Sequence, residues 1–295
     1  MLSILIPTYN YDCYRLVCDL QAQAMECGCR FEIIVADNAS TVPIVNLDRI
    51  NSMEHCRLIR RKENVGRPRN RNMLADSARY PYLLFIDADA EVCRPDFIRK
   101  YLSYCTPGCC VVGGKACNLS VSDKEYSLRM RYEECREANP SYRKSLTTFN
   151  LLIDKSLFMA VMFDESLSLY GNEDFLFGAD PRIREHISFI DNPLIHDDVD
   201  VNPVFLRKTE EACANMLKIY RDYPDRELYK YSKLLKYFRL MEKSRCATVA
   251  AALFPVVKGG LLRNLTSPDP SLFMLDVYKL LYVCCLDAQS KKRRH

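Results

Sequence analysis

The chain of 295 residues contains no tryptophan, only nine glycines and only four histidines. Glycine is too scarce for a glycine-rich phosphate loop near the N-terminus, where the first turn signal is Pro7-Thr8-Tyr9-Asn10. No Cys-x-x-Cys pair occurs, which removes thioredoxin-like redox chemistry and zinc-ribbon spacing. No run of about 18 consecutive apolar residues exists, so no membrane-spanning helix is expected. The N-terminal Leu2–Pro7 segment lacks the basic start and long apolar centre of a signal peptide. An excess of one charge is missing as well. With 42 Lys/Arg against 38 Asp/Glu, the net +4 offers no general basis for nucleic-acid binding. The irregular composition and 14 prolines exclude collagen-like sequence, low complexity and a long coiled coil.

What remains is a chain that is 48% apolar and 11% aromatic, enough for a sizeable core and too much for disorder. At roughly 150 residues per domain, the length allows two domains, or one with an appendage. The charge is unevenly spread. The last 65 residues, from Tyr231, hold 12 Lys/Arg and 4 Asp/Glu, a net of +8, which leaves −4 for the first 230. That split suggests an acidic working domain and a basic attachment region ending in Lys291, Lys292, Arg293 and Arg294. The fifteen cysteines form an odd set with close pairs such as Cys27/Cys29, Cys109/Cys110 and Cys284/Cys285. Reduced thiols, buried as small hydrophobes in a cytoplasmic protein, fit this pattern.

Apolar runs at Leu2–Pro7, Phe31–Ala36, Leu58–Ile59 and Tyr82–Ile86 read as strands, with helical periodicity over Tyr11–Cys27 and Arg67–Arg79. Strands alternating with helices predict an α/β fold, with a mostly parallel Rossmann-like sheet flanked by helices. Further elements are expected at Cys109–Gly114, Asp123–Arg136, Leu146–Ile153, near Phe163, at Glu173–Phe177 and at Ile187–Asn192. After Asp200 the chain changes character, with helices expected over Glu210–Tyr220 and Leu228–Met241, then apolar stretches at Cys246–Val257 and Leu272–Leu286.

Polar clusters follow three strand ends: Thr8-Tyr9-Asn10, Asp37-Asn38 and Asp87-Ala88-Asp89. Ligands of open α/β sheets bind beyond the carboxyl ends of the strands, so all three can line one site. Asp87 and Asp89, two apart after a buried strand, point the same way and suit Mg²⁺ or Mn²⁺ on a diphosphate. An acidic loop or helix cap is the plainer alternative. Asp37 can accept from a base or a ribose, or cap its own turn. Arg67, Arg69 and Arg71 can neutralise a diphosphate or order the acidic site, and Arg71 is favoured because Asn72 and Met73 turn back toward the core. Glu173-Asp174 opens a helix, where the helix dipole favours acids in any protein, but one carboxylate can instead take a proton from an attacking hydroxyl. His196 can complete a metal site with Asp89 or bind diphosphate, or serve structure alone. Asp197, Asp198 and Asp200 read as loop charges, one of which can orient His196.

In order, Ile4-Leu5-Ile6-Pro7-Thr8-Tyr9-Asn10, Val35-Ala36-Asp37-Asn38-Ala39-Ser40, Asn64-x-Gly66-x4-Arg71-Asn72, Phe85-Ile86-Asp87-Ala88-Asp89 and Glu173-Asp174 resemble the family 2 glycosyltransferases of the GT-A fold, over roughly residues 1–200. The resemblance implies an inverting, metal-dependent hexosyl- or N-acetylhexosaminyltransferase, with a nucleotide-sugar donor, most often a UDP-sugar, and Mn²⁺ or Mg²⁺. By the same resemblance Pro7, Thr8, Tyr9 and Asn10 lie against the nucleotide, Asp37 binds the base and Asp87 approaches the ribose. Asp89 then holds the metal, His196 joins the metal or diphosphate, and Asp174 is the catalytic base beside Glu173. Ala36 stands where many members have the first Asp of a pair, although other members carry an apolar residue there. The Gln-x-x-Arg-Trp element of processive members is absent, so transfer of a single sugar is expected rather than polymer synthesis.

The expected division is a catalytic domain over 1–205 and a basic, mainly helical region over 206–295. In that region Leu228, Tyr231, Leu234, Leu235, Phe238 and Met241 recur at helical spacing among lysines and arginines. Such a stripe can lie on an anionic membrane surface at the cytoplasmic face, cover the catalytic domain, or form a homodimer contact. The first choice implies a lipid-linked saccharide acceptor, as in cell-surface polysaccharide or lipopolysaccharide synthesis. Two other readings compete: a nucleotidyltransferase acting on sugar phosphates, disfavoured by the missing glycine-rich loop, and a non-catalytic nucleotide-sugar-binding module, disfavoured by Asp89 and Asp174 together.

Overall fold

A computed structural model describes residues 1–117, 123–142, 145–167, 170–197 and 199–292. The chain forms two compact units. The first comprises Met1–Asn118, Arg136–Ser168 and Glu173–Asp198, and the second Leu119–Cys135, Leu169–Asn172 and Val199–His295.

The strands of the first unit are β1 (Leu2–Thr8), β2 (Phe31–Asp37), β3 (Cys56–Arg60), β4 (Tyr82–Ile86), β5 (Ala90–Glu91), β6 (Cys110–Val112), β7 (Lys115–Ala116), β8 (Asn150–Asp154), β9 (Ile187–Phe189) and β10 (Leu194–His196). Its helices are α1 (Tyr14–Glu26), α2 (Arg67–Ser77) and α3 (Phe97–Leu102), with α5 (Lys155–Met159), α6 (Glu173–Gly178) and α7 (Pro181–Arg184) later in the chain. Seven strands make one sheet in the order β3-β2-β1-β4-β8-β6-β9. β3, β2, β1 and β4 run parallel, while β8 is antiparallel to both β4 and β6. β2 is buried along its whole length, the pattern of a strand covered on both faces. Leu16, Val17, Leu20 and Ala24 of α1 form a stripe buried against one side, while Leu74 and Ala75 of α2 join the core on the other. Pairing sets Thr8 beside Asp37 and Asp37 beside Arg60, so three strand ends form one row.

A second, three-stranded sheet has the order β5-β10-β7. Strands of two or three residues are too short to leave a periodic signal, and sequence reading did not anticipate this sheet. No strand forms at Phe163, which instead packs its ring against Phe158 and Phe177.

The second unit holds α4 (Ser127–Tyr132), α8 (Asn202–Asp222), α9 (Lys233–Lys243), α10 (Cys246–Leu265) and α11 (Leu272–Lys292) around a core that includes Leu217, Phe238, Phe254, Leu265 and Tyr278. The helix expected over Asp123–Arg136 is broken into a 3₁₀ turn, α4 and a π-helical turn at Glu133–Glu137. α8 starts earlier than expected because Pro203 occupies its first turn, so residue 205 lies inside a helix. The helix expected from Leu228 starts only at Lys233, where the Ser232 side chain caps the Leu235 N–H. No disulfide joins the cysteines, and burial pushes the Cys13, Cys110 and Cys213 thiols up to about 12. Among the described residues one helix, α10, is long and apolar enough to cross a membrane, although Lys258 and Arg263 interrupt its apolar sequence.

Candidate active site at the strand ends

The loops leaving β1, β2 and β3 are stitched together by side chains. Asp37, buried at the end of β2, accepts from the Ser40 N–H at 3.0 Å and the Ser40 hydroxyl at 2.6 Å through Oδ1. Its Oδ2 faces Arg60 Nη1 at 3.6 Å. Asp37 thus caps its own turn with one oxygen and keeps the other toward a cation. Asn10, at φ 55°, donates its N–H to Ser40 Oγ at 2.7 Å, and its Oδ1 accepts from the Thr41 N–H at 2.8 Å. Asn38 donates to Asn64 Oδ1 at 2.9 Å and accepts from the Val65 N–H at 3.0 Å. Thr8 is buried, Pro7 is half-buried in β1, and Tyr9 is exposed beside them. The result is a rim of fixed backbone with an exposed aromatic ring, a shape suited to a flat base.

The second cluster centres on Arg71, which α2 carries with its side chain 4% exposed. Its Nη2 donates to Asp87 Oδ1 at 2.6 Å and its Nη1 to Glu173 Oε1 at 3.0 Å. Burial works against the guanidinium charge, but Asp87 and Glu173, with Asp174 behind them, outweigh it and hold Arg71 protonated. Of the two roles open from sequence, Arg71 orders the acidic site, with both terminal nitrogens engaged by carboxylates. Neighbouring Asn72 clamps the Phe163 backbone at both its N–H and its carbonyl, each at 2.9 Å, which fixes α2 against the segment leading to α6.

Asp174 is half-buried in the first turn of α6, and its Oδ1 accepts from the Phe175 N–H at 2.8 Å. Burial, and then the Glu173 charge, push its carboxyl up to about 7, against a smaller pull from Arg71. A carboxylate poised there can accept a proton near neutral pH.

The third group depends on the small sheet. β10 pairs antiparallel with β5, setting His196 opposite Ala90, and the Asp197 N–H donates to the Asp89 carbonyl at 2.8 Å. His196 Nε2 then lies 3.2 Å from Asp89 Oδ2. Burial alone would raise the Asp89 pKa, but His196, with Lys115 and Arg67, holds it down to about 2. Asp89 Oδ1 is buried with no hydrogen-bond partner. An ionised carboxylate with an unsatisfied buried oxygen, next to an imidazole nitrogen, fits Mn²⁺ or Mg²⁺. Among the described residues no group of three or more His, Cys, Asp or Glu side chains is placed to hold a metal ion. Tyr11 donates its hydroxyl to Asp197 Oδ2 at 3.1 Å, tying the β1 loop to this corner. Asp198 lies outside the described residues, and Asp200 pairs with Lys208 at 2.7 Å.

A sequence profile described as "Glycosyl transferase family 2" matches residues 3–171, more than half of the chain. The chain belongs to glycosyltransferase family 2. None of the curated proteins matches it by sequence. Solved structures do match this family 2 chain in fold. A mannosyltransferase from Pyrobaculum calidifontis, PcManGT, in complex with GDP-Man and Mn²⁺, aligns with a TM-score of 0.60 at 16% identity, covering 97% of this chain and 86% of that one. S. aureus TarS 1-349 aligns with a TM-score of 0.52 at 15% identity, covering 98% and 91%. The same fragment in complex with UDP-GlcNAc aligns at 0.52 and 14%, covering 98% and 92%. The fold of this glycosyltransferase is therefore GT-A: a mostly parallel central sheet with helices, and a C-terminal helical region.

Two residues of the candidate site of this glycosyltransferase escaped sequence reading. Lys115, on β7, reaches Glu137 at 3.0 Å, lies 4.3 Å over the Phe149 ring and adds to the field on Asp89. Arg60 had only its position at the end of β3 to mark it, which becomes informative once the register with Asp37 is known.

Proposed function

We propose that this glycosyltransferase moves one sugar, a hexose or N-acetylhexosamine, from a nucleotide-sugar to an acceptor hydroxyl with inversion at the anomeric carbon. The observation that carries the reading is the placing of two opposed carboxyls: Asp89, with a buried unpartnered oxygen and His196 Nε2 at 3.2 Å, and Asp174, beside an Arg71 already engaged by Asp87 and Glu173. The base stacks at the rim of Pro7, Thr8, Tyr9 and Asn10, with Asp37 accepting from its edge, and a uracil N–H suits that carboxylate. Asp87, fixed by Arg71, accepts from a ribose hydroxyl. Asp174 receives the acceptor hydroxyl's proton as that oxygen bonds to the anomeric carbon, and Glu173 and Arg71 set the carboxyl's basicity. Asp89 and His196 would hold Mn²⁺ or Mg²⁺, which when bound supplies positive charge to the departing diphosphate. One displacement on the face opposite the leaving group gives inversion without a covalent intermediate. The bound GDP-Man with Mn²⁺ and UDP-GlcNAc of the structural neighbours support the donor class. The acceptor we favour is a saccharide, free or lipid-linked, of the kind used in cell-surface polysaccharide or lipopolysaccharide assembly; the basic second unit supports this.

The test is a screen of UDP-, GDP- and dTDP-sugars for binding and slow hydrolysis, with and without Mn²⁺. A UDP-sugar that binds in a Mn²⁺-dependent way, and loses that dependence in Asp89→Ala, is expected. Failure of every nucleotide-sugar to bind would overturn the reading.

A further inference from the structure

α10 buries Ala250, Phe254, Leu261 and Leu265 in the core of the second unit. A helix packed along one stripe ordinarily turns charged and polar residues outward on the other. α10 does not. Its exposed positions over the central turns are Thr248, Val249, Ala252, Leu253, Pro255, Val256, Gly259 and Gly260, and none is charged. Val249 is 69% exposed, Leu253 47% and Val256 79%. Single exposed apolar residues are ordinary, but a continuous stripe over successive turns marks a surface built to meet something apolar.

Cations bracket this stripe. Lys243 and Arg245 precede it and Arg263 follows it, all exposed. Residues 233–263 hold seven Lys/Arg (Lys233, Lys236, Arg239, Lys243, Arg245, Lys258 and Arg263) against one acid, Glu242, which is already paired with Arg221. α9 adds exposed Tyr237 and Leu240 beside exposed Lys233 and Lys236. An apolar stripe edged by positive charge is complementary to an acyl layer beneath anionic headgroups. A second copy would bring the same seven cations against themselves. Crossing the bilayer is disfavoured too. One side of α10 is packed on protein, and Lys258 faces Glu210 at 3.6 Å within its length.

We propose that the outward face of α10 docks on an anionic phospholipid bilayer, with the helix lying in the plane of the headgroups. The proposal does not depend on the donor or on the transfer reaction, and its test uses neither. Full-length protein is sedimented with vesicles of phosphatidylcholine alone, or of phosphatidylcholine with phosphatidylglycerol. Binding is expected to the anionic vesicles, with loss at high salt. Leu253→Glu with Val256→Glu replaces exposed residues and leaves the core intact, as circular dichroism will verify. It should weaken binding by at least about tenfold. Lys236→Gln with Lys243→Gln should weaken it by about 25-fold, about fivefold for each charge. Absence of binding to anionic vesicles, or unchanged binding by the Leu253/Val256 variant, overturns the proposal. So does a dimer that this variant splits while vesicles fail to bind, because a second copy then owns the face.

Discussion

Replacing Asp174 by Asn tests the site through two readouts that move in opposite directions. The carboxyl is held at about 7 in the fold, against 3.8 in an unfolded chain. A folded-state value raised in this way means that the stabilising contribution is complete below pH 3.8 and is lost as pH climbs through about 7. At neutral pH and above, ionised Asp174 therefore costs the protein stability, with a ceiling of about 4 kcal/mol from about 1.4 kcal/mol per pH unit. Solvent reaching the half-buried group lowers that figure, and between about pH 5 and about pH 8 the change should be ~1–3 kcal/mol. Asn keeps a side-chain oxygen for the Phe175 N–H and cannot ionise. Urea unfolding of wild type and variant at both pH values gives the difference directly: the variant should gain stability relative to wild type as pH rises. Its transfer rate should fall by about 10²–10⁴-fold with donor binding retained. Wild-type kcat/KM should drop about tenfold for each pH unit below about 7. A variant equally stable relative to wild type at both pH values, or one that turns over normally, would refute the assignment of Asp174 as a strained base.

Arg71→Met should lower stability by about 3–5 kcal/mol in urea unfolding, because it leaves Asp87 and Glu173 facing each other without their shared cation. Arg71→Lys should recover only part of this, since one ammonium cannot replace the fork that reaches both carboxylates. Asp89→Ala should remove the Mn²⁺ dependence of donor binding in calorimetric titration, and His196→Ala should weaken it by about 10–100-fold; unchanged Mn²⁺ dependence in both would dissociate this corner from the metal. Arg60→Ala should weaken nucleotide binding by about tenfold, and equally for UDP and UDP-sugar, if it acts at the base through Asp37.

The long strands were legible because their chemistry is redundant. β1, β2 and β4 are apolar on both faces, so a buried parallel sheet follows from composition alone, and the polar residue at each strand end marks the site. Arg71 was legible as important and ambiguous in role, because an arginine that neutralises a ligand and one that neutralises its own protein have the same sequence signature. Only the distances to Asp87 and Glu173 decide which groups it meets. Lys115 was not legible at all. It reaches the site through a two-residue strand whose partner, β10, lies about 80 residues further on, and no local pattern encodes such a pairing. The early start of α8 and the late start of α9 have a different cause: single residues at the helix ends, Pro203 and Ser232, override the apolar periodicity.

The opposed carboxyls also explain why the site needs so many acids. Asp87, Glu173 and Asp174 crowd around one guanidinium, so three carboxyls share a single positive charge. Arg71 bonds directly to Asp87 and Glu173, and the imbalance falls on Asp174, whose Oδ1 accepts from the Phe175 N–H instead. Asp89, two residues past Asp87, has the reverse setting, with His196 in contact and Lys115 and Arg67 in the field. Both carboxyls therefore follow from where the arginine side chains of α2 and the histidine of β10 are anchored. One is held ionised and the other held basic, the two states that the proposed function asks of a metal ligand and of a proton acceptor. The fold therefore keeps one carboxyl whose ionisation it opposes, and under the proposed function that carboxyl is the base.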